Sequence, residues 1–425
     1  MAILSWLLTQ SKASAGKSRQ ASVRSSTIRK TASDIKEKET MKTFLMQKAA
    51  LLGGEPIRSK RPGYFSWPIG CQPEKEALRR VLHSGVWGTL GKECSDFAAR
   101  YAEFCQAKHA LPVINGTTAI ELILRGLGIG YGDEVIVPPY TFTASVHAIV
   151  LTGAKPVFAD VDLDTFCLSA TAVEKAITPR TQAILAVHVG GRPCDFDALG
   201  AVADKHGIPL IEDAAQAHGS EWKNRRIGSL GKAAAFSFQN SKNLSGGEGG
   251  AITTNDDELY QRLWSLHHNG RPWNSADMTS ICLGTNARLA EWQCAILLGQ
   301  MKNLDACAEA RTRAAARLDD ALGKMPFISV MGKDERITRN SYHLYCFRYH
   351  AEALGNLPRS VFVRAVQAEN VAAISEGYCQ PIYDMEILYS DDFKRMTGCT
   401  FENPKRQLPN NETIAYKEGC WIYQS

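Results

Sequence analysis

The chain has 425 residues, 44% hydrophobic and 22% charged, an ordinary globular balance that excludes wholesale disorder and permits a large core. The net charge is +5, yet Lys12, Lys17, Arg19, Arg24, Arg29 and Lys30 all stand in the first 33 residues with no acid among them. The remainder is close to neutral, which excludes a broad basic surface for nucleic acid, and no run reaches the ~18 apolar residues of a membrane helix.

The first forty residues, rich in Ser and Arg and free of acid until Asp34, resemble an organellar transit peptide. A disordered tail, or translation that starts at Met41, explains them equally. From about residue 110, helical and extended patterns alternate. TTAIELILRGLGI (117–129) carries apolar residues at helical spacing and closes on glycines. DEVIVPPYTF, KPVFADVD, AILAVHV, IPLIEDAA, AAAFSF and GGAITTN read as strands. Between them TASVHAIVLTG, SATAVEKAIT with Ser169 as its cap, and FDALGAVADKHG read as helices. This alternation predicts an α/β fold, a mostly parallel sheet with helices on both faces, whose ligand lies beyond the carboxyl ends of the strands. Beyond residue 290 the texture changes. WQCAILLGQMKNLDACAEARTRAAARLDDALGKM predicts one long helix or two, and NSYHLYCFRYH an alternating strand, hence a smaller C-terminal α+β domain. The expected division is an extension over 1–50, a large domain over 51–300 and a small one over 301–425.

The twelve cysteines include no CxxC pair, and several sit in apolar runs. They read as reduced core thiols of a cytoplasmic protein rather than zinc ligands or a disulfide framework.

Four segments could carry chemistry. In FSFQNSKNLSGGEGG (236–250) a strand delivers Ser237, Lys242 follows, and glycines surround Glu248. A lysine in a partly apolar loop has a depressed pKa and can condense with an aldehyde, although a solvated lysine beside a flexible turn has the same pattern. In PLIEDAAQAHGS a strand runs into Glu212 and Asp213, followed by Gln216 and His218. A carboxylate there can hold a ring nitrogen protonated; helix capping and metal binding are the rivals. VINGTTAIELIL opens a helix with Asn115, Gly116, Thr117 and Thr118, a phosphate site or merely a capped helix. PPYTFTAS puts Phe142 at a strand end, for stacking or for the core. Together they ask for an aldehyde, a pyridine nitrogen, a flat ring and a phosphate. Pyridoxal 5'-phosphate has all four, and no metal is required.

The pattern SF-x-x-x-K-x-L-x-x-GEGG at Ser237–Gly250, with EDAAQAHG, NGTTA, TFTAS and GTNARLAEWQ, resembles the DegT/DnrJ/EryC1/StrS sugar aminotransferases, within the fold-type-I pyridoxal-phosphate enzymes. The resemblance runs from about Leu51 to the end of the chain. It implies that Lys242 binds the cofactor aldehyde and later moves the substrate proton, and that Asp213 pairs with the ring nitrogen. Gln216 would contact the phenolic oxygen, Phe142 would stack on the ring, and Gly116, Thr117 and Ser237 would hold the phosphate. Asn286 would reach the cofactor phosphate of a neighbouring subunit, which implies a homodimer with shared sites.

GGEPIR, SWP at 66–68, HVGG at 188–191 and NGRP at 269–272 resemble the cyclitol and aminoshikimate branch, which includes glutamine:scyllo-inosose aminotransferases and 3-amino-5-hydroxybenzoate synthases. Gly190, where an aromatic often stands in nucleotide-sugar enzymes of the family, implies an open pocket for a small substrate. The expected activity is transfer of an amino group from glutamine or glutamate to a keto-cyclitol or keto-sugar. A dehydrating, aromatising synthase is the alternative within the family, and a non-catalytic scaffold the alternative outside it. The sugar 3-dehydratases of the family replace the lysine with histidine, so Lys242 argues against that activity. The family continues past the segment matching CWIYQS with a further strand and helix, so a shortened small domain with exposed apolar surface is expected.

Overall fold

The structure, a computed structural model, describes residues 48–59, 67–70, 72–89, 91–276, 278–371, 373–404 and 407–423. The readings made for residues 1–47, and those for Ser66 and Cys71, lie outside them.

After helices α1 (Gln72–Ser84) and α2 (Lys92–Cys105), the chain alternates strands and helices. The strands are β1 (His109–Val113), β2 (Glu134–Val137), β3 (Lys155–Phe158), β4 (Thr181–Val187), β5 (Leu210–Asp213), a short hairpin of β6 (Glu221–Trp222) and β7 (Arg225–Arg226), then β8 (Ala233–Ser237) and β9 (Gly250–Thr254). Between them run α3 (Gly116–Gly126), α4 (Thr143–Leu151), α5 (Ala170–Ala176) and α6 (Phe196–His206), and α7 (Asp257–His267) follows β9. Seven strands form one sheet in the order β1-β9-β8-β5-β4-β2-β3. It is parallel from β8 to β3, and only β9 runs against its two neighbours.

Strand alternation explains why helices cover both faces. Val135 and Val137 on β2 and Leu185 on β4 pack with Ile120, Ile123, Val146 and Leu263 from α3, α4 and α7. The intervening Ile136, Ile184 and Ala186 point the other way, onto Val173, Phe196 and Leu199. Each fully buried Leu, Ile or Val of this kind contributes about 1.5–3 kcal/mol relative to exposure, so neither face tolerates a polar residue without a partner.

Two local expectations shift. The helix read over 117–129 begins at Gly116 and ends at Gly126, because Gly128 takes φ +81° and turns the chain out of the helix. Ser169 occupies the N-cap position of α5, but its side chain makes no capping bond; the hydroxyl bonds Asp162 instead.

The long helical stretch past residue 290 is two helices, α8 (Glu291–Gln300) and α9 (Leu304–Leu322), joined by a single 3-10 turn. A second, antiparallel sheet follows, built from β10 (Ile328–Val330), β11 (Leu344–Tyr349), β12 (Ile374–Ser375) and β13 (Gly419–Tyr423) in the order β10-β11-β13-β12. Helix α10 (Arg359–Ala368) packs against it through Phe362 and Val363. The alternation of β11 does not separate core from water. Leu344 and Cys346 pack against the first sheet's loops with Tyr140 and Val189, whereas Tyr345, Phe347 and Tyr349 enter the small sheet's own core. The eleven described cysteines are all free, with no disulfide among them. Among the described residues no helix is long and apolar enough to cross a membrane.

Candidate active site

The parallel strands β4, β5 and β8 end in register. Val187 pairs with Asp213, Asp213 with Ala235, and Ser237 with Gly250 at the start of β9. Beyond these ends lies a cavity of about 600 Å³ lined from the large sheet's side by Gly116, Thr117, Phe142, Asp213, Gln216, Ser237 and Lys242. Strand β13 closes it with Trp421 and Tyr423, and the segments beside β11 and β12 with His343 and Tyr378. Of the eight residues singled out from the sequence, seven meet here. Asn286 does not: it is exposed, and faces His268 in an isolated antiparallel bridge.

Asp213 is buried, and no helix follows it directly, so it is not a helix cap. Its Oδ2 accepts from Ser145 Oγ at 2.7 Å and its Oδ1 from the Ala215 amide at 3.2 Å. Ser145 is in turn 2.8 Å from the Thr141 hydroxyl. These donors hold the carboxylate in one orientation at the cavity wall. The adjacent acid, Glu212, points to the opposite face of β5, as strand geometry requires. It accepts from the amides of Gly228, Leu230 and Gly231 at 2.8–3.0 Å, anchoring the loop that leads into β8. Of the two adjacent acids, Asp213 faces the site and Glu212 is structural.

Lys242 follows β8 in a turn whose amide donates to the Gln239 carbonyl at 2.8 Å. Burial pushes its pKa down, against the opposing pull of the Asp213 charge. A lowered pKa lets an amine give up its proton more readily, and the unprotonated form is the one that attacks a carbonyl carbon.

Asn115 caps α3, its Oδ1 accepting the Thr118 amide at 2.8 Å. The amides of Gly116 and Thr117 have no acceptor within the helix, and the helix end favours an anion. Gly116 is required by proximity: a Cβ there would lie 2.9 Å from Ser237 Cβ. Gly250 is equally constrained, since a Cβ would lie 2.5 Å from the Asn115 carbonyl carbon. These two glycines let α3 abut the end of β8, so that the hydroxyls of Thr117 and Ser237 flank one recess. Phe142 is 59% exposed, so its ring is free at the cavity rather than spent in the core. Gln216 accepts from the Gly190 amide at 2.7 Å and donates to Tyr378 Oη at 3.1 Å.

The structure bears on a rival reading of His218 and on the expectation at Gly190. His218, considered as a metal ligand, is fully buried between Tyr101 Oη at 2.9 Å and the Ser237 carbonyl at 2.8 Å. Burial holds its pKa down to about 3, so it is a neutral brace for β8. Among the described residues no cluster of three or more potential ligands could hold a metal ion. At Gly190 the expected open space is absent, since a Cβ would meet Cys346 Sγ at 3.0 Å and the Leu344 carbonyl at 3.1 Å. Strand β11 already fills that ground. The sequence reading missed His343, whose pKa is pushed well down by burial and then by the charges of Lys242 and Arg311. It also missed Tyr378, Trp421 and Tyr423. Their only signal was an aromatic excess in the last fifty residues.

The same architecture recurs in known proteins. The crystal structure of 3-amino-5-hydroxybenzoic acid synthase superposes with a TM-score of 0.78 at 35% identity, covering 86% of this chain and 94% of that one. In sequence, the chain is 40% identical over 348 residues to the L-glutamine:2-deoxy-scyllo-inosose aminotransferase of Micromonospora echinospora, covering 77% of this chain and 81% of the relative. It is 39% identical over 292 residues to the 3-amino-5-hydroxybenzoate synthase of Amycolatopsis mediterranei, covering 68% and 75%. The model of the DegT/DnrJ/EryC1/StrS aminotransferase family matches residues 70–417. With the fold, the strand-end cavity and this match in agreement, the chain belongs to the DegT/DnrJ/EryC1/StrS aminotransferase family.

Proposed function

We propose that the protein is a pyridoxal-phosphate-dependent aminotransferase that moves an amino group from L-glutamine to the ketone of a cyclitol of the scyllo-inosose kind. The observation that carries this reading is the half-buried amine of Lys242 with its lowered pKa, on the same cavity as the hydrogen-bonded carboxylate of Asp213. The donor and acceptor classes come from the relative named L-glutamine:2-deoxy-scyllo-inosose aminotransferase.

The residues present fit the cofactor. The recess between Gly116, Thr117 and Ser237 would be filled by any Cβ at Gly116, and its amides and hydroxyls suit a phosphate. Asp213 suits a ring nitrogen that must stay protonated, Phe142 the ring face and Gln216 the phenolic oxygen. When bound, the cofactor supplies an aldehyde and a ring that withdraws electrons from the substrate carbon. The Lys242 amine would hold the cofactor at its aldehyde and would serve as the base and acid that moves a proton at the substrate carbon. Asp213 would lie against the ring nitrogen, and the bonds it accepts from Ser145 and Ala215 prevent it from turning away. Trp421, Tyr378 and Tyr423 narrow the mouth and exclude water.

A homodimer completes this reading. Asn286 stands outside its own cavity, and Met278, Ile281 and Leu283 nearby are strongly exposed, Leu283 at 89%. A second copy would cover them and bring Asn286 to the neighbouring phosphate recess.

The test is the visible spectrum of protein supplied with pyridoxal phosphate, before and after L-glutamine. A yellow band that bleaches, and returns when 2-deoxy-scyllo-inosose is added, is expected. A band that no amino donor bleaches would overturn the reading. An aromatic product from an aminoshikimate-type substrate, with no amine formed on the cyclitol, would favour the synthase chemistry of the other relative.

A further inference from the structure

A lysine carries its amine on a flexible four-carbon stem, so the amine is placed only as well as the main chain beneath it. In Lys242 both main-chain groups are held. The amide donates within its own turn, to the Gln239 carbonyl at 2.8 Å. The carbonyl is held from far away: the indole Nε1 of Trp67, 175 positions earlier in the chain, donates to it at 3.0 Å. Among the described residues no other donor reaches that carbonyl.

Trp67 is itself fixed. Just beyond it, the Ile69 carbonyl accepts from Gln300 Nε2 at 2.9 Å, at the end of α8, and the same nitrogen donates to Glu74 of α1 at 2.9 Å. The guanidinium carbon of Arg311, buried on α9, lies 5.7 Å from the Trp67 ring centre, within reach of a cation–π contact. The ring lines a cavity of about 310 Å³ with Asn240, Ser241 and Asn243, the residues on either side of Lys242. Ser241, His343 and Tyr423 also line the larger cavity, so the two spaces adjoin at this turn. Filling space does not require an indole nitrogen, which can only donate. Here that donor is spent on the backbone of the reactive lysine.

We propose that Trp67 is a positioning residue of the active site, whose bond to the Lys242 carbonyl fixes the turn from which the amine enters the cavity. The inference rests on the aminotransferase reading above, in which Lys242 carries the chemistry. Its physical consequence is desolvation. Burial is the larger influence on the amine and pushes its pKa down, while the Asp213 charge pulls the other way. A turn held at both main-chain groups keeps the amine in that dry position. Released at its carbonyl, the turn lets the stem swing the amine towards water, and its pKa rises towards the ordinary 10.5. The other ionisable groups around it are His218 and Glu248 on the large-sheet side and His343, Tyr378, Tyr423 and Arg311 on the other, and the substitutions below alter none of them.

The test is carbamylation by cyanate across a range of pH, with modification of Lys242 read in its own peptide by mass spectrometry. The full chain is used without cofactor, because the aldehyde would block the amine. Only the unprotonated amine reacts, so the midpoint of the rate profile reports its proton affinity and the plateau its exposure. Trp67 is replaced by benzothienylalanine, which keeps the ring's shape and its contact with Arg311 but has sulfur in place of the N–H, and separately by Phe. In both proteins the midpoint should rise by about one pH unit, an approximately tenfold slower reaction below it. With pyridoxal phosphate bound, kcat should fall about tenfold or more while the KM for glutamine changes less than about threefold. An unchanged midpoint in the benzothienylalanine protein overturns the proposal, even if the thermal midpoint falls, since that is the mark of an indole that only fills space. A midpoint that rises with Trp67→Phe alone also overturns it, by assigning the effect to the ring rather than to the bond. Failure of the aminotransferase reading is separable, because it appears as a band that glutamine does not bleach, whatever the carbamylation profiles give.

Discussion

The two walls of the cavity are built differently. On the large-sheet wall the polar groups have partners inside the protein: Asp213 has Ser145 and Ala215, Gln216 has Gly190 and Tyr378, and His218 has Tyr101 and Ser237. On the opposite wall, among the described residues, Trp421 Nε1 is buried with none. On the first wall the carboxylate of Asp213 and the amide of Gln216 are finished before any ligand arrives, while the Gly116 and Thr117 amides await an anion, and the geometry follows from the sheet register. The second is mostly aromatic, built from Tyr378, Trp421 and Tyr423 beside His343. Preorganised polar groups serve the chemistry, and the aromatic wall encloses it.

Substitutions can break this comparison. The largest effect is expected at Lys242: Lys242→Ala should lower turnover at least a thousand-fold or so and leave the cofactor loosely held, as read from steady-state rates and the visible spectrum. Retained transamination would remove the lysine from its role. Next, Asp213→Asn keeps a side chain of the same shape but loses the charge, and kcat should fall about a hundred-fold or more with little change in thermal midpoint.

Acid should strike the finished wall. His218 is held down to about 3, against 6.5 for an ordinary histidine, so below about pH 6.5 the unfolded chain takes up a proton that the folded chain refuses. Its contribution is therefore complete above that pH and is lost as pH falls towards 3, by about 1 kcal/mol per pH unit. His267, held down to about 4 by burial, adds to the same slope. Urea midpoints that do not fall between about pH 7 and about pH 4.5 would contradict this. The smallest effect belongs to the link between the walls. Tyr378→Phe removes one hydrogen bond to Gln216, worth about 1 kcal/mol, and should change kcat/KM less than about tenfold.

The two walls also differ in how far the sequence reveals them. The large-sheet wall is local: each strand ends, and the next few residues are the site, so Ser237 and Lys242, or Asp213 and Gln216, announce themselves within one segment. Even there, Glu212 beside Asp213 reads the same until the strand's two faces are separated. The second wall depends on distant register. Trp421 reaches the cavity because β13 pairs with β11 through Cys346, and nothing local in GCWIY specifies that pairing. Arg311 stands in EARTRAAARL with Arg313 and Arg317, and composition cannot say which one turns inward. The helix phase set by Leu304, Ala308 and Ala315 selects Arg311, and leaves Arg313 with Glu309 in solvent.

The small sheet has a central strand that is made last. β13 lies between β11 and β12, and the bridge from Arg348 to Glu418 spans 70 residues of chain. On a ribosome adding about 5–20 residues per second, β11 must wait roughly 4 to 14 seconds with that edge unpaired and with Leu344 and Phe347 lacking their neighbours. Nascent chains paused in this interval carry an open strand edge beside a completed large sheet. That interval is when a chaperone would have most to protect, and when crowded synthesis would most easily join two chains in the wrong way.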